Sequence, residues 1–192
     1  MKGVEKVLTL YLTSVADSHN SPALDALLSR IAAGDRDALA RFYEQTRGAV
    51  YGYALSVLKN EQDAQDALHD CYLLIVRNAG AYRSQGKPMA WVFTIVKNIC
   101  LQQLRQRRRT DGEANAQAYS FELCEEMNAD DRLTLTACME RLSDEERQIV
   151  VLHAVAGFRH REIAKAMSLP LATVLSKYHR ALKKLRTVLD KE

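Results

Sequence analysis

The segment LSDEERQIVVLHAVAGFRHREIAKAMSLPLATVLSKYHRALKKLR, residues 142–186, predicts three helices, the last two joined by a tight turn at Ser168-Leu169-Pro170. Apolar side chains of the last helix recur at steps of three and four and so share one face: Val174, Tyr178, Ala181, Leu182 and Leu185. Hydroxyl-bearing and basic side chains are expected on the opposite face: Thr173, Ser176, Lys177, Arg180 and Lys184. A lone helix of this kind is more simply a solvated basic helix. The short helix from Arg159 to Met167 and the turn after it instead favour a helix-turn-helix whose last helix enters the major groove of DNA.

Local signals mark the ends of these C-terminal helices. Ser143 followed by Glu146 is a capping box, which predicts a helix start. Gly157 is expected to end that helix, because a residue in left-handed conformation usually follows a helix. Pro170 is expected to begin the last helix. Ser168 stands at a turn position that often carries Gly, so a turn that is either mildly strained or slightly different is predicted.

Composition points to an all-α protein of one or two domains. The 192 residues are 47% apolar, with only 8 Gly and 3 Pro, and strand-like alternation is nearly absent. The net charge of +3 is too small to indicate nucleic acid by itself, but the charges are unevenly distributed. Residues 71–110 hold eight Lys or Arg and no acid, whereas residues 111–131 hold seven Asp or Glu and no base. This order predicts a cationic surface followed by an acidic linker.

The cysteines and histidines do not predict a metal or redox site. The four cysteines lack CxxC spacing and fit apolar core positions in a reducing compartment. Cys138, His153 and His160 are residue types that could bind a metal together, but histidines dispersed along the sequence do not favour a metal site. We expect no metal and no cofactor. Since no apolar run approaches membrane-spanning length, we also expect no membrane insertion and a cytoplasmic location.

The N-terminal part predicts an extension over residues 1–22 and then four helices. The first covers Ala23 to Ala33, the second follows Asp35 as its cap, the third runs from Glu61 to Asn78, and the fourth from Pro88 to Arg109. The apolar stripe of the third helix is Ala64, Ala67, Leu68, Cys71, Leu74 and Ile75. Its other side carries Asp63, Asp66, Asp70, Leu73 and Arg77. Such a face is usually solvated, but a leucine among carboxylates favours a docking surface.

The loop at 79–87 and the fourth helix combine aromatic, amide and basic groups. The helix carries Thr94, Asn98, Leu101 and Arg105 on one side and ends in the cluster LRQRRR, residues 104–109. These groups supply the stacking surfaces, base-edge hydrogen bonds and phosphate charges that single-stranded nucleic acid needs. Trp91 and Phe93 fit a core equally well, and residues 107–109 fit a solvated helix end.

Three segments in this order resemble an extracytoplasmic-function (ECF) sigma factor of the sigma-70 family. They are DAQDALHDCYLLIVRN (residues 63–78), MAWVFTIVKNICLQQLRQRRR (residues 89–109) and the segment 142–186. The resemblance implies two small helical domains, region 2 at 23–109 and region 4 at 130–192, joined by a flexible acidic linker at 110–129. It implies binding to core RNA polymerase, to promoter DNA as duplex and as melted non-template strand, and to an anti-sigma factor, with no catalytic residue.

The resemblance also assigns residues to roles. The residues matched to core polymerase binding are Asp66, His69, Asp70 and Leu73. Those matched to the minus-ten element are Tyr82, Arg83, Ser84, Lys87, Lys97, Asn98 and Arg105. Those matched to the minus-thirty-five element are Arg159, Thr173, Ser176, Lys177, Arg180 and Lys184. Three positions depart from the residues frequent in the family: Val76, Gln102 and Leu175. At Leu175 the family frequently has a basic side chain, which could contact DNA.

Two other classes of protein account for the sequence less completely. A helix-turn-helix regulator that is not a polymerase subunit would share the last segment but would leave residues 63–109 unexplained. A nucleic-acid enzyme would need clustered carboxylates, a nucleophile with its base, or a Gly-rich phosphate loop, and none of these patterns occurs.

Overall fold

The structure is a computed structural model that describes residues 22–84, 86–110 and 137–189, and every regular element in these ranges is helical. The predicted all-α class is confirmed. The chain divides into two compact units, to which the described residues contribute 22–110 and 137–189. The predicted extension at 1–22 and the linker at 110–129 lie almost wholly outside the described residues, so their boundaries stay predictions.

The described residues of the first unit form four α-helices and one short 3-10 turn. Helix α1 is Pro22–Ala32, α2 is Arg36–Leu58, α3 is Glu61–Asn78 and α4 is Pro88–Thr110, with the 3-10 turn Ala79–Ala81 between α3 and α4. The central helix α2 packs against the other three, and α3 packs against α4. These bounds agree with the sequence prediction to within one residue.

Side-chain caps and left-handed residues set the turns of this unit. Gly34, with φ of +85°, reverses the chain after α1. The Asp35 carboxylate then accepts a hydrogen bond from the Ala38 N–H at 3.0 Å and begins α2. Lys59 closes α2 at φ +56°, and the Asn60 side chain accepts from the Asp63 N–H at 2.9 Å to begin α3. Short connections of this kind force α1, α2 and α3 to pack beside one another.

The core of the first unit is mostly apolar, and it also contains hydrogen-bonded hydroxyl groups, among them that of Ser56, which donates to the Tyr53 carbonyl at 2.7 Å. Its largest fully buried side chains are Leu24, Leu28, Phe42, Val50, Tyr51, Leu55, Ile75, Met89, Val92 and Val96. The hydroxyls of Thr46 and Tyr72 lie 2.5 Å apart, and Thr46 also donates to the Phe42 carbonyl, so these buried oxygens have partners. Phe93 is buried with its ring edge-on to Tyr53, which makes it a core residue. Burial raises the pKa of both the Cys71 and Cys100 thiols to about 12, as expected of core-filling cysteines.

In the second unit, residues 137–189 form a helical segment at 137–140 and three longer helices. Helix α5 is Asp144–Ala154, α6 is His160–Met167 and α7 is Leu171–Leu189. Helix α7 packs against both α5 and α6, burying Val174, Ala181 and Leu185 as the sequence predicts. The predicted capping box is present: the Glu146 N–H donates to the Ser143 hydroxyl, and the Ser143 N–H donates to the Glu146 carboxylate.

Two helix boundaries of the second unit differ between the sequence prediction and the structure. Helix α5 ends at Ala154, before Gly157, because Val155 and Ala156 form a turn closed on the Val151 carbonyl. Gly157 does adopt a positive φ, of 68°. Pro170 precedes α7, and its carbonyl accepts from the N–H groups of Thr173 and Val174. Ser168 closes α6 at φ +56° and ψ +39°, the left-handed conformation that costs a non-Gly residue about 1–2 kcal/mol, so the strained turn is present.

Within the described ranges, no helix is both long enough and apolar enough to cross a membrane.

Candidate polymerase and nucleic-acid interfaces

The exposed side of α3 forms the first candidate surface, defined by Asp66, His69, Asp70 and Leu73. All four are exposed, Leu73 to 44%. Val76, one turn further on, is also 45% exposed and adds a second apolar side chain that the sequence prediction did not include. Large apolar side chains ringed by polar groups at a helix surface are typical of a docking site.

Asp63 differs from its predicted place on that acidic face. It is partly buried and forms an ion pair with Arg107 near the end of α4. The packing of α3 against α4 brings these oppositely charged groups together. The carboxylates that remain exposed on the docking face are therefore Asp66 and Asp70. Within the basic cluster at 104–109, the charge of Arg107 is already paired inside the protein.

The second candidate surface combines the loop after the 3-10 turn with one side of α4. Arg83, Ser84 and Lys87 are exposed in the loop. On α4, Asn98 and Arg105 are exposed at a spacing of seven residues, and Leu101 between them is 38% exposed. Lys97 is only partly buried, at the border of this face. On α4, the predicted Asn98 and Arg105 therefore share one exposed side of the helix, and the predicted loop residues are exposed in the segment before it.

Tyr82 is held more firmly than a freely exposed loop residue. Its hydroxyl donates a hydrogen bond to the Asp25 carboxylate on α1, and its ring lies 5.2 Å from that of Trp91 on α4. Asp25 is 57 positions away in sequence and was not predicted as part of this surface. No local pattern marks it, because the contact depends on how α1 packs against the 3-10 turn.

The third candidate surface is the outer side of α7. Ser176 and Arg180 are exposed there, while Thr173 is partly buried. The exposed surface also includes Leu175, which the sequence singles out as a departure from the family, and His179 and Lys183, which the sequence prediction did not assign to the site. The helical period would have found Lys183, since it follows Arg180 by three and Ser176 by seven positions. Arg159 is exposed at the start of α6, where its N–H donates to the Glu162 carboxylate at 3.1 Å.

Lys177 and Lys184 do not lie free on that outer side, contrary to the sequence prediction. Lys177 Nζ lies 2.6 Å from the Glu145 carboxylate, and Lys184 Nζ lies 2.6 Å from the Glu146 carboxylate. Each lysine follows a core residue by three positions, so it flanks the buried stripe and reaches the acidic first turn of α5. Burial opposes ionisation of Glu146, but hydrogen bonds from Lys184 and Ser143 outweigh it and lower the pKa of that carboxyl.

The histidines of the second unit take part in packing. The rings of His153 and His160 lie 4.3 Å apart, and both contact the ring of Tyr178 at 4.7–4.8 Å. Burial and the nearby His153 and His179 lower the pKa of His160, which favours its neutral form. Cys138 belongs to the apolar cluster against which Tyr178 packs. Among the described residues no group of three or more His, Cys, Asp or Glu is suited to hold a metal ion.

Comparison with known families matches both units. The family model "Sigma-70 region 2" matches residues 42–110, and "Sigma-70, region 4" matches residues 132–185. A relative, the ECF RNA polymerase sigma factor SigK of Mycobacterium tuberculosis, is 32% identical over 178 residues, covering 88% of this chain and 95% of the relative. The chain belongs to the ECF sigma factors. A second SigK, from Mycolicibacterium vanbaalenii, is 29% identical over 86% of this chain and 89% of its own length.

Solved structures share the fold of this ECF sigma factor. RpoE from Bartonella quintana, in complex with the anti-sigma factor NepR, has a TM-score of 0.66 at 21% identity, covering 79% of this chain and 96% of that one. CnrH, in complex with the cytosolic domain of CnrY, has a TM-score of 0.59 at 21% identity, covering 88% and 99%. The matches to both sigma-70 regions and to SigK confirm the predicted family. Sigma factors are regulatory factors of transcription initiation.

Proposed function

We propose that this ECF sigma factor binds core RNA polymerase and directs promoter recognition, DNA melting and transcription initiation in the cytoplasm, without catalysing a reaction itself. The observation that carries the proposal is the match to region 2 and region 4 in the family's order, at 42–110 and 132–185. A helix-turn-helix regulator outside the polymerase would not account for the region 2 match.

The first proposed role is docking on core polymerase through α3. Asp66, Asp70 and Leu73 support it because they present two carboxylates beside an exposed apolar side chain. The partner surface should therefore be basic with an apolar centre, since complementary charge steers association and apolar burial supplies affinity. We include an anti-sigma factor among the partners, because RpoE and CnrH, which share this fold, were each solved in complex with a partner, in the first case an anti-sigma factor.

The second proposed role divides promoter DNA between the two units. Asn98 can offer an amide to a base edge, and Arg83, Lys87 and Arg105 can contact the phosphates of the melted minus-ten strand. Ser176 and Arg180, on the outer side of α7, can enter the major groove at the minus-thirty-five element. Leu175, exposed on the same helix, can contact the methyl group of thymine.

Charge reversal on α3 tests the docking role. The variant Asp66→Lys with Asp70→Lys should lose competition for core polymerase against another sigma factor while its circular dichroism is unchanged. A matched control reverses two exposed acids on α2, Asp37→Lys with Glu44→Lys, and so changes net charge equally. If the α3 variant competes as well as the wild-type chain, the docking face lies elsewhere. If the control loses competition to the same extent, the effect comes from net charge and not from the α3 surface.

A pair of alanine variants tests the division of DNA contacts. Asn98→Ala should impair open-complex formation but not binding to duplex upstream DNA, since a base-edge contact is worth about 1–3 kcal/mol. Arg180→Ala should weaken upstream duplex binding, and a pre-melted minus-ten template should rescue only Asn98→Ala. Gln45→Ala removes an exposed amide on α2 and Arg186→Ala an exposed arginine near the end of α7, and both serve as controls. Equal failure of both variants on the pre-melted template would refute the division.

A further inference from the structure

The ion pair between Lys177 and Glu145 joins the recognition helix to the start of α5. The ammonium and carboxylate are 2.6 Å apart, with side chains 21% and 50% exposed respectively. Glu145 lies in the first turn of α5, next to Glu146, but takes no part in the capping box. The structure therefore gives the Glu145 carboxylate an identified partner, Lys177, with access to solvent.

The neighbouring pair has a different character. Glu146 is buried, completes the capping box and accepts from Lys184 at 2.6 Å. Removing its charge would disturb the start of α5 and the packing of α7 together. Glu145 can be neutralised without touching that network, so it is the informative member of the acidic turn.

Lys177 lies at the edge of the outer face of α7, beside Ser176 and one turn before Arg180. A carboxylate and a phosphate compete for the same ammonium, because both offer anionic oxygens to its N–H donors. We propose that Glu145 is an intramolecular competitor of DNA phosphate for Lys177, an inference that rests on the proposed minus-thirty-five role of α7. The carboxylate holds Lys177 in the free protein, and phosphate displaces it on binding.

This competition limits both the affinity of the protein for DNA and the salt dependence of that affinity. A lysine that contacts phosphate releases about one counterion from DNA, which steepens the dependence of log K on log salt by about 0.9. When that lysine must first leave a carboxylate, the exposed Glu145 is left without its cation and lies close to the phosphates. The net gain from Lys177 is then small in the wild-type chain and large once Glu145 is neutral.

A double-mutant cycle on the full chain tests this competition. The dissociation constant for a fluorescein-labelled, mixed-sequence DNA duplex is measured by anisotropy across a series of KCl concentrations, since the phosphate contribution does not depend on sequence. Glu145→Gln should bind about two- to fivefold tighter, the range that an exposed ion pair supports. Its salt slope should steepen by about one unit. Lys177→Gln should change the slope little in the wild-type background and remove the added unit in the Glu145→Gln background.

Glu140→Gln is the matched control, because Glu140 is an exposed acid in the same unit and the change in net charge is identical. It should leave the salt slope unchanged. The inference is overturned if Glu140→Gln tightens DNA binding as much as Glu145→Gln does, or if the tightening by Glu145→Gln persists when Lys177→Gln is also present. The effect would then be due to the change in net charge. If the wild-type chain supports no promoter-specific transcription with core polymerase, the proposed function itself fails. If it does and all variants share one slope, only the competition between Glu145 and phosphate is overturned.

Discussion

Arg147 is a buried charged residue on which the second unit should depend strongly. Its guanidinium is buried, and it donates to the Met139 and Leu142 carbonyls, each at 3.0 Å. A third bond reaches the exposed Asp144 carboxylate at 3.2 Å. One planar side chain thus ties the helical segment at 137–140 and the turn after it to α5, and Arg147→Ala removes all three bonds.

The magnitude follows from those partners. A hydrogen bond from a charged donor to a buried carbonyl is worth about 1.5–3 kcal/mol, so the two carbonyl bonds together account for about 3–6 kcal/mol. The bond to Asp144 adds less than about 1 kcal/mol, because that carboxylate is exposed to solvent. Water that enters the vacated space will satisfy part of the loss. We therefore expect Arg147→Ala to cost about 3–5 kcal/mol, comparable with breaking other buried charged contacts.

Hydrogen exchange resolved by peptide measures this loss in the full chain. A cost of about 3 kcal/mol should accelerate exchange of the protected α5 amides about a hundredfold, since each factor of ten corresponds to about 1.4 kcal/mol. The first unit should be unchanged, and Trp91, the single tryptophan of the chain, reports it independently by fluorescence. Lys lacks the planar fork, so Arg147→Lys should recover only part of the protection.

The exposed Arg141 provides the matched control, and Arg141→Ala should leave exchange within experimental error of the wild-type chain. An Arg147→Ala variant whose α5 amides exchange less than tenfold faster would refute the argument, because the carbonyls would then be satisfied without the guanidinium.

Three smaller effects should be measurable by chemical or thermal unfolding. Ser168→Gly should stabilise the second unit by about 1 kcal/mol, since it removes strain at φ +56°, and a destabilised variant would show that the hydroxyl matters more than the backbone. Gly48→Ala should raise the unfolding free energy of the first unit by about 0.5–1 kcal/mol, because the added Cβ meets no atom within 4 Å at this mid-helix position, and no gain would contradict the helix-propensity argument. Because the pKa of Glu146 is lowered in the folded state, its contribution to stability should be complete above its usual pKa and should be lost as the pH falls from there through the lowered folded-state pKa. Glu146→Gln should therefore reduce the loss of stability at acid pH. An unchanged dependence of stability on pH would show that the contact with Lys184 is not the source of this loss.

Local sequence signals predicted the helices well, but they could not predict the contacts between helices. The Asp35 cap and the capping box at Ser143 each depend on neighbours within a few positions, and both occur as predicted. Of the two outcomes left open for the turn at Ser168, the structure shows the strained one. The pairing of Lys184 with Glu146 spans 38 positions and depends on which side of α5 meets α7. A helical wheel of α7 alone counts such a lysine as polar and assigns it to the solvent face, since it carries no information about the neighbouring helix.

The candidate surfaces divide in the same way. Asn98, Arg105, Asp66 and Asp70 are exposed as the periodicity of their helices predicts. The tie of Tyr82 to Asp25 could not be predicted, because neither residue forms a pattern with its own neighbours. The roles assigned to these residues came from the family resemblance, and the experiments on docking and DNA binding are what test them.

The bond between Asp25 and Tyr82 also bears on how this protein is cut and recombined in the laboratory. The region 2 match begins at residue 42, but Asp25 lies in α1, upstream of it. A chimera that borrows the loop at 82–87 from a relative, or a fragment trimmed to the matched residues, would leave the Tyr82 hydroxyl without this acceptor. Grafts of the loop should therefore carry the segment 22–32 from the same parent.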